Sequence, residues 1–140
     1  MSFTLHPDLQ RDGIAMGTFP LCEVLLINDA HYPWFVLVPR RSRISDTIDL
    51  DPQEYTALWA ESRIFSKAIM AAFDGEKLNV AALGNMTPQL HIHHIVRYKS
   101  DAAWPGPIWG KQALKPYSDE NISEIRARLK ALDMNSFKPK

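Results

Sequence analysis

The sequence predicts an α+β domain: an antiparallel sheet of about five strands, one long helix and a C-terminal helix. Three features point to it. Apolar, β-branched runs come in closely spaced pairs, one amphipathic helical stretch with clear end signals separates the pairs, and a more polar helical stretch closes the chain. At 140 residues the chain has the length of one domain and enough material for a core. Residues 1–140 are therefore expected to form a single unit, with residues 99–140 as a tail and helix.

Residues 23–28, Glu-Val-Leu-Leu-Ile-Asn, read as a short buried strand that ends at the turn-prone pair Asn28-Asp29. Residues 34–39, Trp-Phe-Val-Leu-Val-Pro, read as its antiparallel neighbour, stopped by Pro39. A helix follows with Asp51 as N-cap, Pro52 at the first helical position and Glu54 at the third, a capping-box pattern. Leu58, Phe65, Ile69 and Phe73 keep helical spacing, and Gly75 supplies the stop. Residues 78–84 and 89–98 read as two further strands, joined by a short loop that holds Gly84, Asn85 and Pro88. Proline and glycine exclude a regular element over residues 102–110, and the last helix begins at Ser118 with Ile122, Ile125, Leu129 and Leu132 on one face.

Composition narrows the function classes. Apolar residues make up 46% and charged residues 23%, as in a soluble globular protein, and sixteen basic against sixteen acidic side chains leave no net charge. No basic excess is available for non-specific contact with nucleic acid or a membrane surface. The N-terminal stretch lacks a secretory pattern, and the longest apolar runs fall far short of the ~20 residues of a membrane helix. A cytoplasmic protein is the expectation. The single cysteine, Cys22, excludes an intramolecular disulfide and an all-cysteine zinc site.

The chemistry concentrates in Gln89-Leu90-His91-Ile92-His93-His94-Ile95-Val96-Arg97. Alternation in a strand sets Gln89, His91, His93 and Ile95 on one face and Leu90, Ile92, His94 and Val96 on the other. Three readings are open. The histidines can be structural, each satisfied by neighbours. His91 and His93 can hold a metal ion, although no further ligand stands at a diagnostic spacing. Or a neutral imidazole can act as a nucleophile on phosphorus, one ring nitrogen attacking while the other fixes the tautomer by a hydrogen bond.

The same residues resemble the histidine triad (HIT) family of nucleotide hydrolases and transferases, whose motif is His-φ-His-φ-His-φ-φ with φ apolar. In register, Gln89 takes the first histidine position, His91 the middle one and His93 the third, with Arg97 on the arginine that follows the motif. Gly84-Asn85 resembles the family's phosphate-contacting Gly-Gln loop. Trp34 to Arg41 resembles its strand ending in proline and basic residues, with Trp34 where a histidine often stands. Leu26 to Asp29 resembles the strand whose Asn or Asp lies near the ribose.

The resemblance implies a HIT-like fold and nucleotidyl transfer or hydrolysis at the α-phosphate of a dinucleoside polyphosphate or nucleoside phosphoramidate. It implies His91 as nucleophile, with His93, Gln89, Asn85 and Gly84 around the phosphate and with Asn28 and Arg97 as further substrate contacts. It also implies a homodimer, a small-molecule nucleotide as the partner, and no cofactor or metal. The alternative is a nucleotide-binding module of the same fold that lost turnover with its first histidine. His94 has no assigned role at this level.

Overall fold

A computed structural model describes residues 3–140. Helix α1 (Pro7–Asp12) runs into strand β1 (Gly13–Thr18), followed by β2 (Cys22–Ile27) and β3 (Trp34–Pro39). After a short 3-10 turn comes the long helix α2 (Pro52–Ala72), then β4 (Lys77–Ala81), β5 (Ile92–Arg97), α3 (Asp119–Ala131) and a two-residue strand β6 (Lys138–Pro139). The sheet is antiparallel in every pair and has six strands in the order β4-β5-β3-β2-β1-β6.

The α+β class, the β2–β3 pair, the β4–β5 pair and both predicted helices stand as expected. Helix α2 starts where the sequence signals it. Asp51 accepts from the Glu54 N–H at 2.8 Å while Glu54 accepts from the Asp51 N–H at 3.0 Å, which satisfies two otherwise unpaired donors of the first turn. Past its end, Asp74 adopts φ 49° and Gly75 tucks under Met70, whose sulfur would lie 2.6 Å from any added Cβ. Of the six strands, where about five were expected, β1 and the two-residue β6 that pairs beside it are not among the four runs that the sequence marks as strands. Strand β5 is shorter than residues 89–98. Its ladder to β4 ends at the Ala81–His93 pair, and the Gln89 carbonyl accepts from His91 Nδ1.

Strand alternation sorts the core into two layers. Val24, Leu26, Phe35, Leu37, Ile92 and Val96 face the helices and pack on Leu58, Phe65 and Ile69 of α2 and Leu129 of α3. Leu25, Ile27, Trp34, Val36, Val38 and Ile95 face the other way, where Leu9 of α1 and Ala103 and Ile108 of the tail cover them. The nucleophile candidate sits at the rim of this second layer. A buried carboxylate fastens the helix layer to the first hairpin: Glu61 accepts from the Leu21 and Cys22 N–H groups at 2.8 and 3.0 Å. No helix of the described residues is long and apolar enough to cross a membrane.

Candidate active site

The three clustered histidines occupy different environments, and their hydrogen bonds fix what each can do. His94 points to the helix side, with no exposed surface, its ring edge-on to Phe65 at 5.8 Å. Its Nδ1 donates to the Ile92 carbonyl at 2.9 Å, so Nε2 accepts from the Ser62 hydroxyl at 2.7 Å. Both nitrogens are used, and burial pushes its pKa down to about 4. His94 is a core residue that pins β5 to α2.

His93 faces the opposite layer. Trp34 Nε1, which can only donate, lies 3.0 Å from His93 Nδ1. The proton therefore sits on Nε2, which donates to the Leu83 carbonyl at 2.8 Å. Burial again lowers the pKa to about 4, with the neighbouring His91 and His94 adding in the same direction and the Leu83 carbonyl opposing. His93 is neutral and has no nitrogen to spare for a phosphate oxygen or a leaving group. It sits between Trp34, the loop after β4 and the ring of Trp109.

His91 differs by one nitrogen. Its Nδ1 donates to the Gln89 carbonyl at 2.7 Å, which leaves Nε2 as an unprotonated lone pair. Burial lowers its pKa and keeps the ring neutral. The ring stands edge-on to His93 at 4.9 Å and lines a cavity of about 370 Å³. Gly84 covers one side of the ring so closely that a Cβ there would lie 2.9 Å from His91 Cε1, so glycine is required by the packing. Asn85 and Thr87 line the same cavity, and the N–H groups of residues 84–87 donate to no acceptor among the described residues. The structure thus brings Gly84, Asn85 and His91 together at one cavity.

The remaining candidates have other partners. Gln89 turns its amide away from the cavity: Oε1 accepts from the His6 N–H at 2.8 Å and Nε2 donates to the Thr4 carbonyl at 2.9 Å. Arg97 is 1% exposed, and its guanidinium donates to Asp101, Asn79 and the Gly106 carbonyl and stacks near Tyr32 and Trp104. With its donors so committed, Arg97 anchors the tail to the sheet. Asn28 Oδ1 accepts from the Tyr117 N–H at 2.8 Å, so this side chain also ties down the tail.

Sequence reasoning did not single out Asp12, Leu83, Met86 or Thr87, which line the cavity together with Trp109. Pro7 followed by Gly13 is a helix start and stop that could have placed Asp12 at the end of a short helix. No group of three or more potential metal ligands occurs among the described residues, so His91 and His93 have no third protein ligand there.

The HIT domain profile matches residues 9–100. Comparison with curated proteins returns no match. Among solved structures, a histidine triad protein from Marinobacter aquaeolei VT8 is 49% identical, with 92% of this chain and 94% of that chain covered at a TM-score of 0.90. One from Bradyrhizobium japonicum is 41% identical over 93% and 97% of the two chains at 0.91. A third, from Sinorhizobium meliloti 1021, is 40% identical over 91% and 95% at 0.90. A profile match across most of the chain, agreeing with these structures and with the register of Gln89, His91 and His93, shows that the chain belongs to the histidine triad (HIT) domain family.

Proposed function

We propose that the protein is a nucleotidyl hydrolase or transferase that works through a covalent intermediate on His91, as a cytoplasmic homodimer. One observation carries the reading: of the three clustered imidazoles, His91 alone keeps a free lone pair, and it does so at a cavity. In the first step Nε2 attacks the α-phosphorus, and the N–P bond forms as the bond to the leaving group breaks. The leaving group takes the electron pair and a proton from solvent. In the second step water attacks phosphorus, the N–P bond returns its pair to Nε2, and the water's spare proton goes to solvent. The nucleoside monophosphate departs.

Charge on the non-bridging oxygens is met by neutral donors: the Asn85 amide and the open N–H groups of residues 84–87. The Nδ1–H bond to the Gln89 carbonyl holds the tautomer and stabilises the ring as it becomes cationic. Dimerisation has a natural seat at the sheet edge formed by β4, where Val80 and the following Leu83 are each 41% exposed.

The test is intact mass after brief mixing with a nucleoside 5′-phosphoramidate or a dinucleoside polyphosphate, with His91→Ala as control. A nucleotidyl adduct and product from wild type, with neither from the variant, supports covalent catalysis. The commitment of Gln89 and of both His93 nitrogens to protein groups favours one second reading, a nucleotide-binding module. Tight nucleotide binding with no adduct and no product supports that module and overturns the enzyme.

A further inference from the structure

A second cavity, of about 440 Å³, lies at the β1–β6 end of the sheet and shares no lining residue with the one beside His91. Two local features of β1 create it. The register slips between Ala15 and Gly17, so Met16 is an extra residue whose side chain enters the helix-side core. Ala15 and Thr18, three positions apart, therefore both face away from α2, beside Leu25 and Glu23, their partners on β2. Gly17 then lets the C-terminal segment lie flat on β1, since a Cβ there would stand 2.5 Å from the Lys138 carbonyl and from the Phe137 ring. Phe137 packs on Phe19 at 5.1 Å, and the Lys140 N–H donates to the Met16 carbonyl at 3.0 Å, which together fix where that segment runs.

These constraints set charges around an apolar floor. Leu5, Ala15 and Leu25 supply the apolar surface. Lys138, Thr18 and Glu23 stand on one rung of three adjacent strands, so their side chains share a face. Two strand spacings put the backbones of Lys138 and Glu23 about 10 Å apart, with Thr18 between them. The ammonium and the carboxylate do not meet, and no ion pair among the described residues uses Glu23, Lys138 or Lys140. Opposite charges thus face each other across the cavity, and neither is neutralised.

The edge itself is guarded against a further strand. Pro139 has no N–H to offer, and a lysine stands on each side of it. The occupant therefore sits on the face of the sheet and not along its edge. A ligand with a single charge would leave one wall unmatched, whereas a zwitterion answers both. One residue length of about 3.5 Å, with a charged contact of about 2.8 Å at each end, comes to about 9 Å, close to the span between Glu23 and Lys138.

We infer that this cavity binds a free apolar α-amino acid. Its carboxylate lies on Lys138 and Lys140, its ammonium on Glu23, and its side chain on Leu5, Ala15 and Leu25. The site does not depend on the chemistry of His91, and it holds for an enzyme and for a binding module alike.

Nitrogen-15 spectra of the full chain, titrated with leucine, N-acetylleucine and leucinamide, test the assignment. Leucine should shift the amides of residues 15–18, 23–25 and 138–140 and leave residues 84–93 unmoved. Each derivative lacks one of the two charges and should bind about fivefold more weakly, the effect of one favourable ion pair at a surface. Glu23→Gln should abolish the preference for leucine over N-acetylleucine. Replacing both lysines, Lys138→Ala with Lys140→Ala, should abolish the preference over leucinamide. A general loss of structure would weaken all three ligands alike and would erase neither preference selectively. N-acetylleucine or leucinamide that binds wild type as tightly as leucine overturns the inference. So do shifts confined to residues 84–93, or no shift with leucine up to its solubility limit.

Discussion

Acidification from pH 7 to pH 5 should destabilise the fold through two buried imidazoles, and the size of the loss follows from their environment. His93 and His94 are 5% and 0% exposed, with pKa values pushed to about 4 from an ordinary 6.5. Between those limits the unfolded chain binds a proton on each ring that the folded chain refuses, so stability rises with pH through the window. The contribution is complete above pH 6.5 and is lost as pH falls towards 4. At pH 5 each ring costs about 2 kcal/mol relative to pH 7. Together they remove a sizeable part of the 5–15 kcal/mol typical of a domain. His91, shifted in the same direction, adds to the loss. The carboxylates of Asp8, Asp49 and Asp101, whose pKa values are lowered, titrate below this window and leave the histidine slope visible. Urea melts at half-unit pH steps measure the slope, and His94→Gln should remove about half of it. A midpoint that stays flat from pH 7 to pH 5 would refute the picture of neutral, fully bonded imidazoles.

Three substitutions probe individual contacts. Gly84→Ala places a Cβ 2.9 Å from His91 Cε1 and 3.0 Å from the Thr87 carbonyl. Displacing the proposed nucleophile should lower kcat/KM roughly 100-fold with little change in melting temperature, read by steady-state kinetics beside calorimetry. Ser62→Ala leaves His94 Nε2 buried without a partner and should cost about 1–3 kcal/mol in urea unfolding, while kcat holds. Asp101→Asn removes the charge that neutralises buried Arg97 and should cost about 3–5 kcal/mol, seen as a fall of roughly 10 °C or more in melting temperature. An unchanged melting point would mean that the Arg97 cluster is not the anchor of the tail.

The parts of this molecule that could be read from sequence are those set by short spacings. The capping box from Asp51 to Glu54 spans three residues and works as its pattern implies. Period-two alternation correctly separated His93 from His94. What stayed hidden depends on partners remote in the chain. Trp34 and His93 are 59 positions apart, and nothing local shows that an indole will occupy one nitrogen and so fix the tautomer. Gln89 meets Thr4 and His6 across 85 and 83 positions. The motif aligns that amide with the phosphate, and nothing local reveals its partners in the N-terminal segment. Arg97 illustrates the same limit, because an arginine that ends a histidine motif looks like a phosphate ligand until the tail folds back and supplies Asp101 and Gly106. The short elements α1 and β6 carry too few apolar positions for any period to emerge.

The three histidines are a case where burial and pKa do not single out the reagent. All three are buried, all three have lowered pKa values, and two lie on the same side of the sheet. A ranking by perturbed titration would pick His93 or His94, the most strongly shifted. Counting free nitrogens reverses that order, because His94 spends both on Ser62 and Ile92, His93 spends both on Trp34 and Leu83, and His91 spends one. Nucleophilicity needs a lone pair with somewhere to go, and a depressed pKa only ensures that the lone pair is not already occupied by a proton. The tight packing of His93 then has a purpose of its own. A ring held at both nitrogens is a rigid wall 4.9 Å from the His91 ring, and it limits where that ring can turn. Trp34→Phe separates the two functions. It frees His93 Nδ1 and lets the ring exchange tautomers, which nitrogen-15 spectra of the imidazole report directly, while His91 keeps its bond to the Gln89 carbonyl. If His93 is the wall, kcat falls at least tenfold while nucleotide affinity stays within a factor of about three. If His93 is a proton donor held in reserve, releasing it should raise kcat, and that result would return it to the chemistry.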